Sequence, residues 1–142
     1  MTSKMFFDTN VLVYAFGDPR VGPTDPRPNR ATDLLEEGGV VSVQVLNEYS
    51  DIASRKLGFD WDTISQALSV LETLCPRTVP LTLEMQREAI AIAARLRIRI
   101  YDAMIVAAAL QSGCTVLYSE DLQHGQKIGN LRIENPFLGR AR

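Results

Sequence analysis

Two hydrophobic periods share this chain, one close to two residues and one close to three and a half, and the changes between them mark its elements. Met5-Phe6-Phe7 is an apolar run broken by Asp8-Thr9-Asn10 and resumed as Val11-Leu12-Val13-Tyr14-Ala15-Phe16. The first piece is short and aromatic, as suits a buried strand, and the second is long enough to begin a helix. Pro19, Gly22, Pro23, Pro26 and Pro28 exclude regular structure from Gly17 to Pro28 and predict a long exposed loop. Arg30 to Glu37 reads as a helix stopped by Gly38-Gly39, and Val40-Val41-Ser42-Val43 as a second strand. Between Val45 and Ala53, the residues Val45, Leu46, Tyr49, Ile52 and Ala53 fall on one helical face. Asp60 to Leu74 is a further amphipathic helix, with Asp60 or Asp62 as its cap. Thr78 to Leu81 predicts an edge strand, because Pro80 cannot donate to a central ladder.

Thr82 then caps a helix over Leu83 to Leu96, which exits into Arg95-Leu96-Arg97-Ile98-Arg99. From Ala103 to Leu110 no residue is polar, so this helix, opened by Asp102 and closed by Gly113, must be surrounded by protein on nearly every side. Thr115 to Tyr118 is the next strand and runs into Ser119-Glu120-Asp121. Gly125 and Gly129 make the following segment loop-like, and Leu131-Arg132-Ile133 is a last strand before a basic tail. Strands alternating with helices predict a three-layer α/β/α fold with right-handed crossovers and a mainly parallel sheet of four to five strands.

At 142 residues, 46% hydrophobic and 23% charged, the chain is expected to form one domain spanning 1–142. No apolar run is long enough for a membrane helix or a signal-peptide core, so a cytoplasmic protein is expected. Cys75 and Cys114 stand apart in apolar surroundings without metal-ligand spacing, which fits core thiols in a reducing compartment better than a disulfide. A net charge of -2 excludes a uniformly basic nucleic-acid coat. A binder of phosphates would need local basic patches or a metal ion to offset its acids.

Asp8 stands at a strand exit, where open parallel sheets bind ligands. It or Asn10 could equally serve as the N-cap of the next helix. Glu48 borders the buried face of its helix, with no basic residue three or four positions away, whereas Asp51 has Arg55 at i+4. A helix N-terminus explains Asp102 as a cap, and Asp121 follows the fourth strand. If Asp8, Glu48, Asp102 and Asp121 met, their repulsion would raise their pKa values unless a cation joined them, and oxygen ligands of this kind suit magnesium or manganese. His124, the only histidine, lies in a loop beside Gly125 and reads as a surface residue. Arg95, Arg97 and Arg99, with Arg20 and Arg27, are candidates for phosphate contacts; a solvated edge is the plainer reading of the triplet.

Phe7-Asp8-Thr9-Asn10, Asn47-Glu48, Tyr101-Asp102-Ala103 with its alanine-rich helix, and Ser119-Glu120-Asp121-Leu122 together resemble the PIN-domain family, particularly the VapC-type toxins. The resemblance runs in order over almost the whole chain. It implies a ribonuclease dependent on Mg2+ or Mn2+, with Asp8, Glu48, Asp102 and Asp121 as the acidic set and Asp8, Asp102 and Asp121 on the metal. Thr9, Asn10 and Ser119 are implied as supporting groups. Asp121 is preferred over Glu120 as the acid facing the metal, with Glu120 as a helper. A homodimer, an RNA substrate and a cognate antitoxin partner are implied as well. Two rivals remain: a PIN fold that binds without cutting, and a phosphatase of the haloacid dehalogenase type, which would want a second Asp where Asn10 stands.

Overall fold

The computed structural model describes residues 4–139; the basic tail expected at the end of the chain lies largely outside them. Its strands are β1 (Met5–Phe7), β2 (Val40–Ser42), β3 (Arg77–Val79), β4 (Val116–Tyr118), β5 (Lys127–Ile128) and β6 (Leu131–Glu134). Its helices are α1 (Thr9–Phe16), α2 (Arg27–Glu37), α3 (Val43–Arg55), α4 (Trp61–Leu74), α5 (Leu83–Leu96) and α6 (Ile100–Gln111). The strands form one sheet in the order β3-β2-β1-β4-β6-β5, parallel throughout except for β5 against β6. This is the expected three-layer, mainly parallel architecture, with one strand beyond the expected number. The addition is β5, two residues between Gly125 and Gly129 that close a hairpin onto β6; so short a pairing leaves no periodic signal.

Strand order reverses at β1. The chain moves outward through β2 and β3 on one side and through β4 and β6 on the other, so the carboxyl ends of β1 and β4 flank a switch point, where α/β sheets open a crevice. The Asp8 amide donates to the Tyr118 carbonyl at 3.0 Å, which locks these two exits together. Phe6, Phe7 and Leu117 are fully buried between the helical layers. α6 supplies Ala103, Ile105, Val106, Ala107, Ala108 and Ala109, all buried, and packs most extensively on α5, small side chains letting the two approach closely. Cys75 and Cys114 are buried free thiols, as expected of core residues. Among the described residues no helix is long and apolar enough to cross a membrane.

Several boundaries differ from expectation, β3 lying at Arg77–Val79 instead of Thr78–Leu81 and β4 and β6 shifting by one residue at an end, and three differences have a plain local reason. α2 starts at Arg27 rather than Arg30, because Pro28 falls in the first turn, where its missing N–H costs no helical bond. β2 stops at Ser42 instead of Val43: the Ser42 hydroxyl accepts from the Val45 amide at 3.2 Å and starts α3 with no intervening residue. Asp102 does not cap α6. The N-cap position is Arg99, and Asp102 lies inside the first turn, which leaves its carboxylate free of the capping role.

Candidate active site

The carboxylates Asp8, Glu48, Asp102 and Asp121 line a single pocket of about 170 Å³ at the switch point, together with Thr9, Asn10, Tyr14, Asp18, Arg20, Ile52, Lys56 and Glu120. Each acid arrives on a different element. Asp8 leaves β1 and begins α1, Glu48 projects from α3, Asp102 from the first turn of α6, and Asp121 from the turn after β4. Sequence separation hides this meeting; parallel topology produces it.

Asp8 is the most constrained of the four. It is 4% exposed, with Oδ1 accepting from the Thr9 amide at 2.6 Å and Oδ2 from the Ser119 hydroxyl at 2.7 Å. Asp8 does act as the cap of α1, but that bond uses only one of its oxygens. Burial pushes its carboxyl up to about 7; the two hydrogen bonds oppose that rise, and the charges of Asp121 and Glu48 add to it. Glu48 is half-buried and also raised, first by burial and then by Asp102 and Asp121, with Gln44 and the Arg99 guanidinium holding it back. Asp102 is raised by burial and by Asp121, and Arg99 again lowers it. A group of acids whose affinity for protons is raised in concert is a group short of positive charge.

Ser119, fully buried, ties the pocket floor together: its hydroxyl donates to Asp8 and accepts from the Asp121 and Leu122 amides, each at 3.2 Å. Asn10 Nδ2 donates to Asp121 Oδ2 at 3.3 Å. With its amide committed this way, Asn10 is a structural group rather than a second acid. The Thr9 hydroxyl is buried and, among the described residues, has no hydrogen-bond partner.

A hard divalent cation fits this donor set by chemistry. The candidates are carboxylate oxygens, neither histidine nor cysteine lines the pocket, and the orphaned Thr9 hydroxyl offers one more oxygen. Among the described residues no three acids already stand close enough together to grip an ion. A larger cavity of about 1110 Å³ opens at the amino ends of the strands near Lys4, Gly39 and Arg77, and among the described residues Glu37 is the one acid that lines it.

The arginines divide into two groups. Arg20 is bound by both oxygens of Asp18, and Arg27 by Asp25, Tyr14 and Glu120. Arg95, Arg97 and Arg99 are exposed and make no ion pair among the described residues. His124 is exposed, and its Nδ1 accepts from the Asn135 amide at 3.0 Å. Sequence reasoning missed Lys56 and Tyr14. Both had a signal: Lys56, the C-cap of α3, follows Glu48 and Ile52 at steps of four, and Tyr14 follows Asn10 by four on α1.

A PIN domain family model matches residues 5–127. No curated protein matches the chain. Among solved structures, the VapC20 toxin of Mycobacterium tuberculosis, a protein that cleaves the sarcin-ricin loop, superposes with a TM-score of 0.65 at 21% identity, covering 82% of this chain and 89% of that one. A toxin-antitoxin complex from Klebsiella pneumoniae gives 0.67 at 17% identity over 93% of this chain and 97% of the other. DNA-bound VapBC from Salmonella typhimurium gives 0.59 at 22% identity, covering 94% and 98%. These structures share the fold, and the family model spans most of the sequence: the chain belongs to the PIN domain family.

Proposed function

We propose that this chain is an endoribonuclease dependent on a divalent metal, the toxin of a toxin-antitoxin pair. The observation that carries the reading is that Asp8, Glu48, Asp102 and Asp121, from four separate elements, line one pocket at the switch point. Asp8, Asp102 and Asp121 would hold the ion. An ion such as magnesium or manganese held there would supply Lewis acidity at a phosphate oxygen and ease the ionisation of water. Ser119 and the Thr9 amide fix both Asp8 oxygens, so that carboxylate cannot swing away. Glu48 Oε2 accepts from Gln44 Nε2 at 3.1 Å, which leaves Oε1 to take a proton from the attacking water. A cognate antitoxin partner, a homodimer and a cytoplasmic location belong to the same reading; the toxin-antitoxin complexes that share the fold support the antitoxin partner.

The expected result is cleavage of single-stranded or looped RNA in magnesium or manganese and none in excess chelator. Cutting by contaminant-free protein in chelator would falsify the metal-dependent mechanism. The rival reading, a PIN fold that binds without cutting, draws on the separation of the acids. RNA bound but intact in saturating manganese would favour it.

Arg95, Arg97 and Arg99 are our main candidates for phosphate binding, since Arg20 and Arg27 would have to leave carboxylate partners to serve. Changing the triplet to glutamine is expected to weaken RNA binding and to reduce the slope of log K against log salt by about 0.7 for each phosphate that an arginine had neutralised. An unchanged slope would assign these arginines to an ordinary solvated edge.

A further inference from the structure

Glu120 and Asp121 are neighbours in sequence, yet their side chains are engaged in opposite ways. Glu120 Oε1 accepts from the Tyr14 hydroxyl at 2.8 Å, and Oε2 accepts from Arg27 Nη1 at 3.3 Å. Arg27 Nη1 also donates to the Tyr14 hydroxyl at 2.7 Å, and its guanidinium lies 4.8 Å above the centre of the Tyr14 ring. Nε and Nη2 of the same arginine bind Asp25. Tyr14 therefore donates its single proton to Glu120 while accepting from Arg27, and both Glu120 oxygens are occupied.

One turn earlier on the same face of α1, Asn10 Oδ1 accepts from the Glu120 amide at 3.2 Å while Nδ2 reaches Asp121. α1 thus grips the turn after β4 twice: Tyr14 by the Glu120 side chain, Asn10 by the Glu120 backbone and the Asp121 carboxylate. Arg27 opens α2 at the end of the proline-rich loop and fastens that loop to the same point. Asp121, by contrast, is exposed, and among the described residues its carboxylate has a single side-chain hydrogen bond, the long one from Asn10.

We propose that Glu120 is a positioning residue which, with Tyr14 and Arg27, clamps the turn after β4 and so aims Asp121 at the metal ion. The proposal rests on the metal-nuclease reading of this pocket. An acid on an exposed turn binds an ion well only when the turn is already fixed, and groups that orient a ligand affect metal affinity without touching the ion.

The test is the Mn2+ dissociation constant, measured by titration calorimetry without RNA, for the unmodified protein, Tyr14→Phe, Glu120→Gln, the double variant and Asp121→Asn. Tyr14→Phe keeps the ring packed against Phe137 at 4.9 Å and under Arg27, and Glu120→Gln keeps side-chain shape while setting an amide NH2 against the guanidinium. Thermal melts confirm that each variant folds. Tyr14→Phe and Glu120→Gln are each expected to weaken Mn2+ binding by about tenfold, the effect usual for orienting partners. The double variant should bind no more weakly than the worse single one, because the two residues act as a unit. Asp121→Asn should be the weakest of the set. Glu120→Gln matching Asp121→Asn while Tyr14→Phe binds normally would make Glu120 a metal ligand and overturn the clamp. Normal affinity in both clamp variants would overturn it too, leaving the nuclease reading intact. An unmodified protein that binds no Mn2+ at all would sink that reading and the clamp with it.

Discussion

In chelator, the Asp102→Asn variant is expected to melt at a higher temperature than the unmodified protein, and in millimolar magnesium the order is expected to reverse. Asp102 stands in the first turn of α6 without capping it, and among the described residues it accepts no side-chain hydrogen bond. Burial and the Asp121 charge disfavour its ionised form by more than Arg99 favours it. Removing the charge therefore relieves the metal-free protein. The helix N-terminus returns part of that gain, since an acid in a first turn interacts favourably with the dipole by about 0.3–1 kcal/mol. A metal ion that binds only the folded state adds about 2.7 kcal/mol at a concentration one hundred times its dissociation constant. The variant should gain much less, and RNA cleavage should fall by about 10²–10³-fold, as when one group that stabilises transition-state charge is removed. Equal metal-induced shifts in the two proteins, with cleavage retained, would reduce Asp102 to a helix-terminal charge.

The second large effect is a pH profile centred on Asp8. Its carboxyl has a pKa of about 7 in the folded chain against an ordinary value of 3.8. Between those values the folded state holds a proton that the unfolded chain has released, so stability is complete below 3.8 and is lost as pH rises through 7. At about 1.4 kcal/mol per pH unit, the loss is on the order of 4 kcal/mol. Glu48 and Asp102 are raised as well and act in the same direction. Asp18, Asp25 and Asp60 are lowered by their hydrogen bonds and act oppositely, losing their contribution as pH falls below 3.8. In chelator the melting temperature should therefore peak near about pH 4–5 and decline toward about pH 8. Asp8→Asn should flatten the decline, at the price of one hydrogen bond from Ser119 or Thr9 worth about 1 kcal/mol. Magnesium should oppose the decline, because binding to a carboxylate releases its proton and strengthens as pH rises. A level profile between about pH 4.5 and pH 8 in chelator would show that Asp8 ionises as an ordinary surface acid does.

What the sequence disclosed and what it withheld follow from the range of the forces involved. Asp8, Asp102 and Asp121 could be placed at strand exits and a helix start because strand and helix periods are local, and each acid interrupts one of them. Glu48 could be placed on a buried face by counting threes and fours. Their convergence could be expected only from parallel topology or from the family resemblance. The bonds among Tyr14, Arg27 and Glu120 join residues 106 and 93 positions apart, and no window along the chain contains both partners. Arg20 and Arg27 looked like loop cations open to phosphate; that Asp18 and Asp25, each two residues earlier, would hold them depended on how the loop turned. β5 and the Ser42 cap escaped notice through brevity, each resting on one or two hydrogen bonds that a single polar residue can supply or withhold.

The join between β2 and α3 also bears on how this chain can change in length. Because Ser42 is both the last residue of the strand and the cap of the helix, the two elements share one rigid joint. A single residue inserted there would turn α3 by about 100° relative to the sheet. Glu48, Ile52 and Lys56, spaced in fours, would rotate off the pocket together. Past Asp18 and Arg20, which line the pocket, the proline-rich loop after α1 has no such phase to keep: residues added there bulge toward solvent while Arg27 still anchors the far end. Insertions and deletions in descendants of this chain therefore have room in that loop and none after Ser42, where length itself is part of the catalytic geometry we propose.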